Sequence, residues 1–219
     1  MINNIEHFIW DLDGTLIDSS PDIIASIEKS IDDCGFKRFD IPRNVIGLPL
    51  QMMLSRSNAA LSQEEIDRII FRFREIYDSI EYNETQVIDG ACKVLEYLVA
   101  AGKGNYCVTN KPLKPTLKIL QNKNLSVYFI EVISPDTIGG KVMSKTEMLI
   151  HFLSTKNVKQ DHCMYIGDHE NDIEAAHSSG IPCCIILGGY GSKCEILKRN
   201  PEHIVDNFLM LKNFLETRE

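Results

Sequence analysis

No apolar run in this 219-residue chain approaches the roughly 20 residues that a membrane-spanning helix needs. The first residues also lack the basic stretch, apolar run and cleavage site of a secretory leader. The expected setting is cytoplasmic, with no membrane contact. A long basic run is missing too. The 23 Lys and Arg face 31 Asp and Glu, for a formal charge of -8. That balance disfavours a surface that tracks nucleic-acid phosphates, so small molecules are the expected partners. Cys-x-x-Cys spacing is absent, and the seven cysteines (Cys34, Cys92, Cys107, Cys163, Cys183, Cys184 and Cys194) are odd in number. They read as reduced, mostly buried thiols in a reducing compartment. The histidines show no metal-ligand spacing, and Gly188-Gly189-Tyr190-Gly191 is no dinucleotide fingerprint but the loop after the last main strand. Repeats and low-complexity segments do not occur.

What is present is a soluble, globular composition, 44% hydrophobic and 25% charged, in a chain long enough to bury a substantial core. The most telling stretch is Phe8-Ile9-Trp10-Asp11-Leu12-Asp13-Gly14-Thr15, where a short apolar run ends in two aspartates, a glycine and a hydroxyl. In an extended segment Asp11 and Asp13 point the same way, and neighbouring carboxylates repel unless a cation or proton separates them. The pair calls for a metal, a proton or both, at a site suited to an anionic substrate. An ordinary Asp-Gly turn is the plain alternative.

Beyond this stretch, Asp18-Ser19-Ser20-Pro21 is a helix-start signature, followed by Ile23, Ile24, Ile27 and Ile31 at helical spacing. Ser62-Gln63-Glu64-Glu65 resembles a capping box ahead of Ile66, Ile69, Ile70, Phe73 and Tyr77. Residues 16 to about 83 therefore read as helical, with no convincing strand and with a loop or short helix around Ile41 to Pro49. From about residue 84 short apolar strands alternate with amphipathic helices. Strands are expected at Tyr106–Val108, Tyr128–Ile133, Cys163–Ile166 and Cys183–Leu187, with a helix over 145–154. The pattern implies right-handed crossovers and an α/β architecture, a doubly wound, mostly parallel Rossmann-like sheet. Ligands of such sheets sit beyond the carboxyl ends of the strands, where Asp11, Asp13, Thr109, Asn110, Asp168 and Asp172 fall.

With these residues in hand, the chain resembles the haloacid dehalogenase superfamily, in particular its phosphoglycolate-phosphatase-like members with an inserted helical cap. Asp11-Leu12-Asp13-Gly14-Thr15 matches the first family motif, Thr109 the second, Lys145 the third, and Gly167-Asp168-His169-Glu170-Asn171-Asp172 the fourth, in the family's order. The resemblance covers essentially the whole chain, with residues 1–15 and 84–219 as catalytic core and 16–83 as cap. It implies a phosphatase of small phosphate monoesters. Asp11 would be the nucleophile that forms an aspartyl phosphate, and Asp13 the general acid/base. Thr109, Asn110 and Lys145 would hold the phosphoryl oxygens. Mg²⁺ would bind through Asp11, the Asp13 carbonyl, Asp168 and Asp172, a donor set of the kind this ion prefers. At Lys145 the chain departs from the family's usual following proline, since Thr146 stands there.

Neighbouring positions have plainer readings. Lys111 is a phosphate-side or surface charge, His169 a surface-loop histidine, and Arg43 either a contact for a substrate's second anion or a surface residue. Asp168 and Asp172 would also suit helix capping. Asp13 argues against carbon–halogen cleavage, since dehalogenases of this superfamily lack the second aspartate. Three alternatives remain open: a β-phosphoglucomutase-type phosphomutase, a phosphonatase, or a regulatory protein phosphorylated on aspartate. The implied partner is a small phosphorylated metabolite, and the protein is a monomer or homodimer.

Overall fold

Alternate residues along the short apolar strands belong to two different cores, one on each face of a six-stranded sheet. Phe8, Trp10, Cys107, Met164, Ile166 and Cys184 pack into one. Ile9, Tyr106, Val108, Cys163, Tyr165 and Cys183 pack into the other. Both faces are covered, so these strands are mostly apolar on both sides instead of alternating with polar residues, Asn105 within β4 being a buried exception. The adjacent thiols Cys183 and Cys184 accordingly face opposite cores, as expected.

The computed structural model describes residues 4–139 and 141–216. In chain order the elements are β1 (His7–Trp10), β2 (Ile17–Asp18), α1 (Ser20–Asp33), α2 (Leu50–Ser57), α3 (Gln63–Tyr77), β3 (Gln86–Val87), α4 (Ala91–Ala100), β4 (Gly104–Val108) and α5 (Leu113–Asn122). These are followed by β5 (Glu131–Ile133), α6 (Lys145–Lys156), β6 (Cys163–Gly167), α7 (Glu170–Ser178), β7 (Cys183–Ile186), α8 (Lys193–Lys198), β8 (His203–Val205) and α9 (Phe208–Glu216). The sheet order is β5-β4-β1-β6-β7-β8, with all neighbours parallel. Strand β1 lies between β4 and β6, so the carboxyl ends of these three bring Asp11, Thr109 and Asp168 side by side. No described helix is long and apolar enough to cross a membrane.

Helices α1, α2 and α3 are inserted between β2 and β3. Helix α1 packs on α3, burying Ile23, Ile27 and Ile31 against a face that carries Ile66, Ile69 and Tyr77. At about 1.5–3 kcal/mol per buried large side chain, this pairing gives the insert its own apolar core. The Ser62–Glu65 capping box opens α3 as the sequence indicates.

Four expectations change. Residues 16–83 are not purely helical: Ile17 and Asp18 pair antiparallel with Val87 and Gln86, tying the two crossings of the insert together. The strand expected from Tyr128 is shorter, because Ser126–Tyr128 forms a 3-10 turn ahead of β5. The loop at Gly188–Gly191 is not the end of the sheet, since β8 and α9 follow it. Asp11 and Asp13 do not share one extended face. The Leu12 carbonyl accepts from the N–H groups of Leu16 and Ile17, so the chain turns immediately after β1. Gly14 occupies the left-handed region at φ +87, and a Cβ there would collide with Asp168.

Candidate active site

The carboxyl end of β1 delivers Asp11 into a buried cluster. Its N–H donates to the Ile166 carbonyl at 2.9 Å, which continues the ladder with β6 one residue past the strand. Lys145, the first residue of α6, is fixed by the Ser144–Glu147 capping box just before it. Its Nζ donates to Asp11 Oδ1 at 2.8 Å and to Asp172 Oδ1 at 2.6 Å. Lys145 is thus a buried cation with two carboxylate partners.

Asp172 holds that lysine in place with both of its oxygens engaged. Oδ1 also accepts from the Tyr165 hydroxyl at 3.3 Å, and Oδ2 accepts from the N–H groups of Asp168 and His169 at 3.1 and 3.0 Å. Capping the start of α7 and pairing with Lys145 are therefore one arrangement, and the plainer capping role proves compatible with the functional one. Asp168 accepts from the Thr15 hydroxyl at 2.6 Å and from the Tyr190 N–H at 2.7 Å. The loop at 188–191 approaches this carboxylate so closely that a Cβ on Gly189 would strike it.

Carboxylate oxygens of Asp11, Asp168 and Asp172 lie within 4.8 Å of one another. Burial pushes the Asp11 carboxyl up to about 8, with Asp172 and Asp168 adding to the effect and Lys145 opposing it. Burial, reinforced by Asp172, likewise raises Asp168 to about 7. At Asp172 the same burial is outweighed by Lys145, so its carboxyl is held low and the lysine stays charged. Three buried carboxylates facing one ammonium leave an excess of negative charge. The all-oxygen donor set fits a hard divalent cation.

This charge balance has a measurable consequence. A carboxyl whose folded value is raised contributes stability below its unfolded value near 3.8, and loses it as pH rises through the folded value. Without divalent cations the melting temperature should therefore fall as pH is raised from 5 to about 9 through the Asp168 and Asp11 region. A saturating divalent cation should flatten that slope and stabilise most at high pH. Thermal melts across this range with and without chelator check both signs. A slope that the cation leaves unchanged would count against a metal among these carboxylates.

Asp13 goes elsewhere. Its Oδ1 accepts from the Ser19 hydroxyl, and its Oδ2 lies 3.2 Å from Lys111 Nζ. Its carboxylate is not part of the acidic cluster, which among the described residues joins Asp11, Asp168 and Asp172. For Asp13 the expected metal contact through the main-chain carbonyl is thus the one compatible with this placement. Ser19 precedes α1 but makes no side-chain cap there, its hydroxyl being used on Asp13.

Thr109 is buried at the end of β4, and its Oγ1 accepts from the Lys111 N–H at 3.2 Å, which leaves its proton free to donate. Asn110 donates from Nδ2 to the Gly47 carbonyl at 3.1 Å, joining the core to the inserted segment. A cavity of about 480 Å³ opens from this point. Asp13, Asn110, Lys111 and Lys145 stand on its wall, together with Gly47, Leu48, Phe73 and Tyr77 from the insert.

Several plain readings of the sequence are overturned. Lys111 is buried, not a surface charge. His169 is buried as well: its Nδ1 accepts from the Asn171 N–H at 3.2 Å, and its Nε2, which then carries the proton, lies 3.1 Å from the Asn44 carbonyl. Arg43, by contrast, keeps its surface reading: its side chain is 60% exposed, 3.6 Å from Asp18 and over the Tyr190 ring at 5.4 Å. Tyr190 itself had no sequence signal. Its hydroxyl donates to Asp18 at 2.7 Å and accepts from the Ser19 and Ser20 N–H groups at 3.0 and 3.1 Å, bracing the start of the insert against the Asp168 loop.

A doubly wound parallel sheet with an acidic cluster, a buried lysine and a strand-end threonine at its carboxyl edge is the architecture of haloacid dehalogenase-like hydrolases. The profile of that family matches residues 8–186, and the chain belongs to it. It is 30% identical over 217 residues to a phosphoglycolate phosphatase of Psychrobacter arcticus, covering 94% of each chain. It is 27% identical over 213 residues to a 5'-nucleotidase of Pseudomonas aeruginosa, covering 96% of each. A crystal structure of a predicted phosphatase from Clostridium acetobutylicum superposes with a TM-score of 0.88 at 25% identity, over 97% of this chain and 99% of that one. The chain is a phosphatase of this family, similar to its phosphoglycolate phosphatases.

Proposed function

We propose that this phosphatase is Mg²⁺-dependent and hydrolyses a small phosphate monoester, phosphoglycolate-like or a sugar or nucleotide phosphate, through an aspartyl phosphate on Asp11. The observation that carries the reading is the separation of the two aspartates. Asp11 sits with Lys145 among the cluster carboxylates, whereas Asp13 is held apart on the cavity wall by Ser19 and Lys111. That separation supports one carboxylate meeting phosphorus and the other the leaving oxygen.

In the first half-reaction a carboxylate oxygen of Asp11 bonds to phosphorus. The ester P–O bond breaks toward the alcohol oxygen, and Asp13 gives that oxygen a proton. In the second, Asp13 takes a proton from water as its oxygen attacks phosphorus, and Asp11 is released. The Thr109 hydroxyl and Asn110 amide orient the phosphoryl oxygens, with Asn110 exchanging its Gly47 contact for substrate. Lys145 neutralises charge on Asp11 and the phosphoryl group. Positioning and charge neutralisation of this kind account for most phosphoryl-transfer catalysis. Asp11, Asp168, Asp172 and the Asp13 carbonyl would hold Mg²⁺, which when bound offsets the charge of carboxylates and phosphate.

The inserted segment, residues 16–83, acts as a cap on the 1–15 and 84–219 core. It excludes water and limits the substrate to small metabolites. Steady-state assays of phosphoglycolate, sugar phosphates and nucleoside monophosphates, with Mg²⁺ or with chelator, test the proposal. Turnover that is unaffected by chelator would refute the metal dependence. Comparable hydrolysis of folded phosphoproteins would refute the cap's role.

A further inference from the structure

Lys111 is a buried cation outside the Asp11 cluster. Its Nζ is 3.2 Å from Asp13 Oδ2 and donates to the Tyr77 hydroxyl at 2.8 Å. Nζ also lies 4.7 Å from the centre of the Tyr77 ring. Tyr77 is the last residue of α3 and belongs to the insert, whereas Lys111 follows β4 and Asp13 follows β1. A contiguous line of three side chains thus runs from the inserted helices to the second aspartate, crossing the boundary between insert and core. Burying an ammonium is costly unless it is paired, and here the ionised form of Asp13, the form left once its proton has been given up, supplies the opposite charge. Lys111 shares the cavity wall with Asp13, whereas Asp168 and Asp172 are not among the described residues that line it. Lys111 is thus the ion-pair partner of Asp13 as Lys145 is of Asp11.

Building on Asp13 as the acid/base, we infer that Lys111 is a positioning residue for Asp13 and that Tyr77 positions Lys111, so that the acid is complete only when the inserted helices are seated. Asp13 Oδ1 is held by the Ser19 hydroxyl at the start of the insert, and Oδ2 faces Lys111, so the carboxyl plane is fixed from two sides. As the P–O bond breaks, its electron pair goes to the alcohol oxygen and the Asp13 proton follows. The carboxylate left behind gains a charge 3.2 Å from an ammonium. Both contacts to the insert would be lost if α1 and α3 lifted from the core, so proton donation is coupled to closure.

The test compares leaving-group release in a single turnover with Mg²⁺ present, using dinitrophenyl, nitrophenyl, phenyl and methyl phosphates. An acidic leaving group needs no proton, whereas an alkoxide does. Lys111→Met should slow release from phenyl and methyl phosphate by about 100-fold but from dinitrophenyl phosphate by no more than about threefold, within the usual range for general-acid catalysis. Tyr77→Phe keeps the ring over the ammonium and removes only the hydroxyl. It should steepen the dependence in the same direction by about 5-fold, and Lys111→Arg should restore most of the wild-type behaviour. If Lys111→Met does not fold, Tyr77→Phe carries the test. A uniform loss across all four esters would mark a merely structural role and overturn the inference, as would a wild-type profile. Asp13→Asn run in parallel separates the two readings. If it steepens the dependence and the Lys111 and Tyr77 variants do not, only the coupling fails. If Asp13→Asn itself shows no steepening, the acid/base assignment falls.

Discussion

Asp11→Asn should fold normally and turn over phosphate esters at least about a thousandfold more slowly than the wild type, because an amide at that position cannot form the acyl phosphate. The substitution is nearly isosteric, and Lys145 keeps Asp172 as a partner at 2.6 Å, so the buried lysine is not left unpaired. Removing one of three crowded carboxylates also relieves repulsion, since burial and the neighbouring Asp172 and Asp168 already push the Asp11 carboxyl up to about 8. The metal-free variant should accordingly melt no lower than metal-free wild type at pH 8, and its stability should depend less steeply on pH above 6. Steady-state rates with Mg²⁺, melts in chelator and acid-quench trapping of phosphoenzyme measure the three effects. A correctly folded variant with more than a few per cent of wild-type turnover, or one that still traps phosphate, would remove Asp11 from the nucleophile's role.

The parts of this site that the sequence reveals are those that a strand end places. Asp11, Thr109 and Asp168 each follow a short apolar run, and in a parallel sheet the carboxyl ends of neighbouring strands converge whatever their separation in sequence. Lys145 is legible only through the family resemblance, and Asp172 through the fourth motif that follows β6; in the structure each lies in the first turn of a capped helix. The contacts that escape notice arise only through tertiary packing. Ser19 looks like a helix cap and instead holds Asp13. Lys111 and Tyr77 are 34 residues apart and meet only because α3 folds back over the end of β4. Tyr190 reaches the start of α1 across 171 residues. Very short strands are hidden for a related reason. Two residues in β2 or three in β8 are too few to show alternation, and only pairing defines them. Alternation extended past Trp10 puts Asp13 on the face of Asp11, whereas the turn at Leu12–Ile17 ends the extended backbone there.

Lys145→Met should be the most damaging substitution for stability and should also cut activity heavily, since methionine approximates the length of the lysine stem and removes the charge. The wild-type ammonium bridges Asp11 and Asp172 in a largely buried site, with its own ionisation stabilised by both carboxylates despite the burial. Removing one member of a buried ionic set leaves uncompensated charge and typically costs about 3–5 kcal/mol. Without metal, Asp172 loses the partner that holds its carboxyl low, so the variant should be markedly less stable at pH 8 than at pH 5. Asp172 is also tied to the Asp168 and His169 N–H groups, so the start of α7 should loosen, a change that amide exchange at those two positions would report. Activity should drop by about 10²–10³-fold even at saturating Mg²⁺, the usual effect of deleting one charge-stabilising donor at a reacting group. Lys145→Arg, which keeps the charge but not the geometry, should recover stability more fully than turnover. If Lys145→Met kept wild-type stability across this pH range and more than a tenth of the activity, the lysine would be a bystander, and Lys111 would be the cation that the chemistry requires.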